Sequence, residues 1–372
     1  MYITLLMMCM TSVFAQKFWR ELMNGREAFD KFDKIYRMNI SKTNNQLLYI
    51  MKNGIKTIVL LMSLVTTWTV DAQNGPRNNS SNFPEAVPTN SKAQLIDQQE
   101  EVYKLSYLKD VVYGHADSVD LKLQIITPEP YQYNGEKFPC IMYVRGSAWM
   151  KQNLYTDVPL LAAMAHRGYV VAIVEYRSSD IATFPAQRND AIAAVNFMRD
   201  NADKYMVDTN NLFVWGSSSG AHIALFTGLE MKDKKENAAV PEINGVIAYF
   251  PPTDILHLHE DPTAASKGDA NSPEGLLLGK VAMWEAPEKA KEASPLYYIK
   301  DNPNMPPVFL AHGTKDRVVP FSQSDALANE MEKYGRKYEF YALRNADHGS
   351  WQFWTKEMLD KVDSFIKKHL KK

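Results

Sequence analysis

Cysteine is nearly absent: the 372 residues contain two, Cys9 and Cys140. Two thiols build neither a disulfide framework nor a cysteine zinc site. Cys140 sits in the apolar run Cys140-Ile141-Met142-Tyr143-Val144, where a free thiol serves as a small core hydrophobe. An excess of one charge is also missing. Lys and Arg number 42 against 43 Asp and Glu, a formal net charge of −1, so the chain has no basic footprint for nucleic acid. Neither a phosphate-binding loop, nor a dinucleotide fingerprint, nor an internal repeat is present. Apolar runs stay short of the roughly 20 residues that a comfortable membrane-crossing helix needs. What remains, 45% hydrophobic and 23% charged residues, is a globular composition, which excludes whole-chain disorder and fibrous classes.

The first hundred residues read as segments outside the fold. Residues 51–72 resemble a secretory signal. Lys52 and Lys56 make a positive start, Ile55 to Val65 is mainly apolar, and Val70-Asp71-Ala72 puts small residues where a signal peptidase cuts. This predicts a secreted or periplasmic protein without stable membrane insertion after cleavage. Either translation begins at Met51 and residues 1–50 belong to an over-long reading frame, or residues 1–50 are a real N-terminal extension. Residues 73–99, rich in Asn, Ser, Pro and Gln, read as a flexible tether.

Residues 100–372 alternate strand and helix patterns. Short strands are expected at 102–107 and 111–114. Asp120 to Ile126 alternates with period two, as a half-exposed edge strand would. Buried strands are expected around Ile141–Val144, Tyr169–Tyr176, Asn211–Trp215, Gly245–Phe250, Val308–Ala311 and Lys337–Leu343. Helices are expected between them, with a closing helix over 351–371. The pattern predicts an α/β fold with a mostly parallel sheet of about eight strands and helices on both faces. Ligands of such sheets bind at the C-terminal ends of the strands.

Three groups of residues stand at those ends. Gly216-Ser217-Ser218-Ser219-Gly220 is a G-x-S-x-G turn between a strand and a helix, which lifts its central serine above the sheet. Of the three serines, only Ser218 has glycine at both −2 and +2. His312-Gly313-Thr314-Lys315-Asp316 follows a second strand, and Asp347-His348-Gly349 follows the last. A serine hydroxyl needs a base, which His348 could supply, and Asp316 could hold that imidazole. Asp347 and His312 are rivals for the acid and the base. His222 is expected to pack beneath the turn. His257 and His259 alternate in a loop, but a third metal ligand is not evident, and no metal or cofactor is expected.

The order Ser218, Asp316, His348 is that of α/β-hydrolases. With Arg145-Gly146-Ser147-Ala148-Trp149, Glu175-Tyr176-Arg177 and Val319-Pro320, the chain resembles the hormone-sensitive-lipase-like and feruloyl-esterase-like branch of that superfamily, over about residues 100–370. The resemblance implies a serine carboxylesterase with Ser218, Asp316 and His348 as catalytic triad. It implies an oxyanion hole from the backbone N–H groups of Ser147, Ala148 and Ser219. The loop departs from the family pattern: Arg145 replaces a histidine, while Ser147 and Ala148 replace glycines. Those donors survive only if their positions need no positive φ. Residues 251–300 are expected to wall the substrate pocket, with Trp149, Arg145 and Trp284 as candidate substrate contacts. The implied substrate is a small-molecule or polysaccharide ester, acetyl before feruloyl. The alternatives are a general small-ester or lipid carboxylesterase and a non-catalytic binding protein on the same fold.

Overall fold

A computed structural model describes residues 84–97, 102–130, 135–231 and 239–371. The signal-like segment 51–72 and residues 1–50 lie outside the described residues, as does part of the 73–99 tether. The chain divides after Ile96. In the first unit, residues 84–96 are exposed and carry neither helix nor strand. The second, Asp97–Lys372, holds the sheet.

Its described elements follow in chain order. They are β1 (Leu105–Ala116), β2 (Val119–Pro128), β3 (Phe138–Val144), α1 (Val158–Ala165), β4 (Val170–Val174), α2 (Ala186–Asp200), α3 (Ala202–Tyr205), β5 (Val207–Ser217), α4 (Ser219–Thr227), β6 (Gly245–Tyr249), α5 (Pro273–Leu277), α6 (Pro287–Glu292), β7 (Val308–Gly313), α7 (Ser322–Lys333), β8 (Tyr338–Leu343) and α8 (Lys356–Lys368). The eight strands form one sheet in the order β1-β2-β4-β3-β5-β6-β7-β8. Strands β3 to β8 run parallel, and the β1–β2 hairpin joins β4 antiparallel.

The period-two pattern of the strands sorts the core onto the two faces. Along β3, Cys140, Met142 and Val144 pack on one face with Ala191 and Val195 of α2, Ile223 of α4 and Leu327 of α7. Ile141 and Tyr143 point the other way, toward Leu161 and Met164 of α1 and Val362 and Phe365 of α8. Strands covered on both sides read as continuous apolar runs, as β4 (Val170-Val171-Ala172-Ile173-Val174) does.

Three expectations need correction. Residues 102–107 and 111–114 are not two strands. Residues 105–107 and 111–114 belong to the single strand β1, which residues 102–104 precede and whose register shifts between Leu108 and Val111, where Asp110 adopts φ +54. The Asp110 carboxylate accepts Gln124 Nε2–H (2.9 Å) and Tyr155 O–H (2.8 Å), which holds this bulge. Strand β2 is not an edge, because β1 pairs along its outer side and its residues from Leu123 onward are buried. The closing helix does not start at Trp351. A 3₁₀ turn spans Trp351–Trp354, and the Thr355 side chain then caps α8 by accepting Met358 N–H.

Candidate active site

Strand β5 turns into α4 at a point too tight for any side chain but hydrogen at its flanks. A Cβ on Gly216 would lie 2.2 Å from the Gly220 carbonyl oxygen, and one on Gly220 would lie 2.0 Å from that of Val144. This packing is the physical content of G-x-S-x-G. Between the glycines Ser218 is forced to φ +54, ψ −128, a conformation costing on the order of 1–3 kcal/mol. It is held by Ser218 N–H donating to Tyr249 C=O (2.9 Å), and by Ala221 and His222 N–H donating to Ser218 C=O.

The three serines do different things. Ser217 Oγ accepts Gly146 N–H (3.2 Å) and meets Tyr143 Oη (3.1 Å). Ser219 Oγ accepts Ser147 N–H (2.9 Å). Only Ser218 Oγ faces an imidazole, donating to His348 Nε2 at 2.9 Å. His348 Nδ1–H in turn donates to Asp316 Oδ2 at 2.8 Å. The other carboxylate oxygen, Oδ1, accepts Val318 N–H (2.8 Å) and Val319 N–H (2.9 Å). Burial alone would raise the Asp316 pKa. Hydrogen bonds from His312 and His348 outweigh it and hold the carboxyl well below the usual carboxylate range. The carboxylate is therefore charged wherever His348 can act as a base.

The rivals are occupied elsewhere. Asp347 accepts the Arg317 guanidinium and Arg317 N–H, and this pairing lowers its pKa to about 2. His312 is fully buried, with Ser324 Oγ (2.7 Å) and the Val319 carbonyl (3.0 Å) on its two ring nitrogens and Asp316 Oδ2 3.3 Å from Nε2. His257 pairs with Asp254. Among the described residues no group of three His, Cys, Asp or Glu side chains could hold a metal ion.

The Gly146–Trp149 loop differs from expectation in two respects. Ser147 N–H already donates to Ser219 Oγ, which leaves Ala148 and Ser219 as the N–H groups without an acceptor among the described residues beside Ser218. The left-handed backbone is needed after all, since Ala148 has φ +53 and Trp149 φ +57. The strain is met by burial: Trp149 is 2% exposed, and its Nε1–H donates to His222 Nδ1 (3.2 Å). The Ser147 hydroxyl closes the turn by donating to Met150 C=O (2.5 Å).

His222 lies beneath the serine turn, fully buried, with Nε2–H donating to Ala293 C=O (2.8 Å). Burial lowers its pKa to about 4, the Ala293 hydrogen bond opposing the shift. An unfolded histidine titrates near 6.5. Below that value the unfolded chain binds a proton that the native site refuses, so stability falls as pH drops from about 6.5 to about 4. The loss totals about 3 kcal/mol. Urea denaturation across that range should show this slope in the wild type and a flatter one in His222→Gln. An equal slope in both would assign the acid sensitivity to other groups.

Two cavities meet at Ser218. One, of about 840 Å³, is an open cleft bordered by Tyr143, Arg145, Asp157, His348, Trp351 and Trp354. The other, of about 180 Å³, is bordered by Ala148, Trp149, Pro252, Ser266, Glu274 and Val319. A third, of about 790 Å³, borders Asp316 on the side of Lys315 and Arg317 and reaches neither Ser218 nor His348.

The candidate substrate contacts fare unequally. Arg145 borders the cleft but its guanidinium is paired with Asp157. Trp149 is a core residue that borders the small cavity. Trp284 packs on His259 at 5.4 Å and borders neither cavity at Ser218, because α5 rather than the Trp284 segment faces the serine. The 251–300 region does wall the small cavity, through Pro252, Ser266, Pro273 and Glu274. Sequence reading passed over Trp351, Trp354 and Glu274. Trp351 follows His348 by only three positions, which is the one signal that could have exposed it.

The BD-FAE family model matches residues 123–331. The chain belongs to the BD-FAE family. This BD-FAE member has the α/β-hydrolase fold. It is similar, at 28% identity over 250 residues, to a probable isoprenylcysteine alpha-carbonyl methylesterase of Oryza sativa subsp. japonica, covering 64% of this chain and 56% of that protein. It is 26% identical over 223 residues to esterase LipQ of Mycobacterium tuberculosis, covering 58% and 51%. The chain thus spans about half the length of the curated relatives it matches. Among solved structures, a truncated form of a carbohydrate esterase from gut microbiota aligns with a TM-score of 0.62 at 26% identity, covering 73% of this BD-FAE member and 99% of that chain.

Proposed function

We propose that this chain is an exported serine carboxylic ester hydrolase that removes acyl groups, acetyl before feruloyl, from plant polysaccharide or oligosaccharide esters. The observation that carries the reading is the hydrogen-bonded line from Ser218 Oγ through His348 to Asp316. Export rests on the signal-like segment 51–72, and the carbohydrate half draws support from the similarity to a carbohydrate esterase.

The chemistry follows from the geometry. Ser218 Oγ attacks the ester carbonyl as His348 Nε2 takes its proton, and Asp316 stabilises the resulting imidazolium. The carbonyl oxygen becomes an oxyanion, and the unengaged N–H groups of Ala148 and Ser219 are its donors. Each such donor contributes about 2.7–4 kcal/mol to the transition state. The C–O bond to the alcohol breaks, and the alcohol leaves with the proton from His348. Water, deprotonated by the same imidazole, then attacks the acyl-enzyme and frees the acid and Ser218.

Acid quenching during turnover of a chromogenic acetate, followed by peptide mass spectrometry, should find an acetyl group on Ser218. Turnover without an adduct there would remove the mechanism. Rates on acetylated xylan, feruloylated arabinoxylan and a short triglyceride then decide the substrate. A preference for the triglyceride would replace the carbohydrate reading with that of a general carboxylesterase.

A further inference from the structure

The two cavities at Ser218 differ in one respect that orients a substrate: His348 borders the 840 Å³ cleft and not the 180 Å³ cavity. The imidazole that takes the Ser218 proton must return it to the leaving oxygen, which therefore lies within hydrogen-bond reach of Nε2. The alcohol half of the ester then occupies the cleft, and the acyl half is left the small cavity. That cavity contains Glu274, a 6% exposed carboxyl that accepts the Ser266 hydroxyl. A cavity of about 150 Å³ accommodates benzene, so this one takes an acetyl group easily.

The cleft has an aromatic wall. Residues three apart in a 3₁₀ turn eclipse one another, so Trp351 and Trp354 share a face, and both border the cleft. Trp354 is fixed from behind, stacked on Trp215 with centroids 5.6 Å apart and planes at 22°. Trp351 is 74% exposed, the most exposed large apolar side chain of the described sheet-bearing unit. An indole face kept in water at the mouth of a catalytic cleft marks a binding surface. The same cleft carries hydrogen-bonding groups on Arg145, Thr156 and Thr355. An apolar platform beside polar side chains matches a pyranose, which has C–H faces and a rim of hydroxyls.

Resting on the carbohydrate-ester hydrolysis proposed above, we propose that Trp351 is the platform on which the sugar ring of the leaving alcohol stacks. The test uses two esters that share an acyl group and differ in alcohol: an acetylated xylo-oligosaccharide and ethyl acetate. The kcat/KM ratio of the first to the second should fall about tenfold or more in Trp351→Ala, expressed in KM. In Trp351→Tyr, which keeps an aromatic face, it should stay within about threefold of the wild type. Among the described residues Trp351 packs against no other ring, so the truncation leaves the core intact. An unchanged ratio in Trp351→Ala, or equal losses on both esters, overturns the assignment and leaves ester hydrolysis standing. So does a wild type that cleaves ethyl acetate and not the oligosaccharide. A wild type inactive on both overturns the hydrolytic reading and this inference with it.

Discussion

Replacing Ser218 with alanine is expected to lower kcat on a chromogenic acetate ester by about 10⁴–10⁶-fold. The loss should be this large because neither neighbour can substitute. Ser217 Oγ is held by Gly146 N–H and Tyr143, and Ser219 Oγ is held by Ser147 N–H, while His348 Nε2 contacts Ser218 alone of the three. Folding should be nearly unaffected. Alanine tolerates the positive φ about as well as serine does, and among the described residues the Ser218 hydroxyl bonds only to His348. A residual acceleration of about 10³-fold over water, from the amides and substrate binding, is expected to survive. Initial rates together with urea midpoints check both halves. A variant with a tenth or more of wild-type kcat would mean that another group attacks the ester.

Asp316→Asn is expected to reduce kcat by about 10³–10⁴-fold, with KM little changed. The reason lies in the orientation that the loop imposes on the new amide. Val318 and Val319 N–H both donate to Oδ1, so the amide oxygen must take that place. The NH₂ group then stands where Oδ2 was and points a donor at His348 Nδ1 and at His312 Nε2. His348 is driven into the tautomer protonated on Nε2, which cannot accept the Ser218 proton. The opposite flip would set donor against donor at Val318 and Val319. Retention of kcat within tenfold would show that His348 does not take its orientation from Asp316.

Much of this was legible in the sequence, for identifiable reasons. Parallel strands covered on both faces leave apolar runs, so β3 to β7 stand out, and residues following such runs must gather at one rim of the sheet. Ser218, Asp316 and His348 could be picked out among them by the G-x-S-x-G frame and the Ser, Asp, His order. Strand β2 misled because alternation around Lys122 is a local pattern, whereas its neighbour β1 is a matter of tertiary pairing. The tryptophans misled similarly. Whether an indole faces a core, a surface or a cleft depends on the turn that carries it, and a 3₁₀ turn in place of the first turn of an α-helix decided the matter for Trp351. The glycine-poor loop gave no hint that Ala148 and Trp149 would accept a left-handed backbone, since the support comes from His222, 73 residues farther along the chain.

The two outer serines of the turn form crossbraces, each joining the chain segment that carries Ser218 to the segment that carries Ala148, the proposed anion-binding amide. The gap between those segments is set by side-chain oxygens rather than by the flexibility of a loop. Three identical residues in a row therefore have separate duties. In the proposed mechanism the middle one reacts, and the pair on either side keeps the gauge of the vice that would grip the carbonyl.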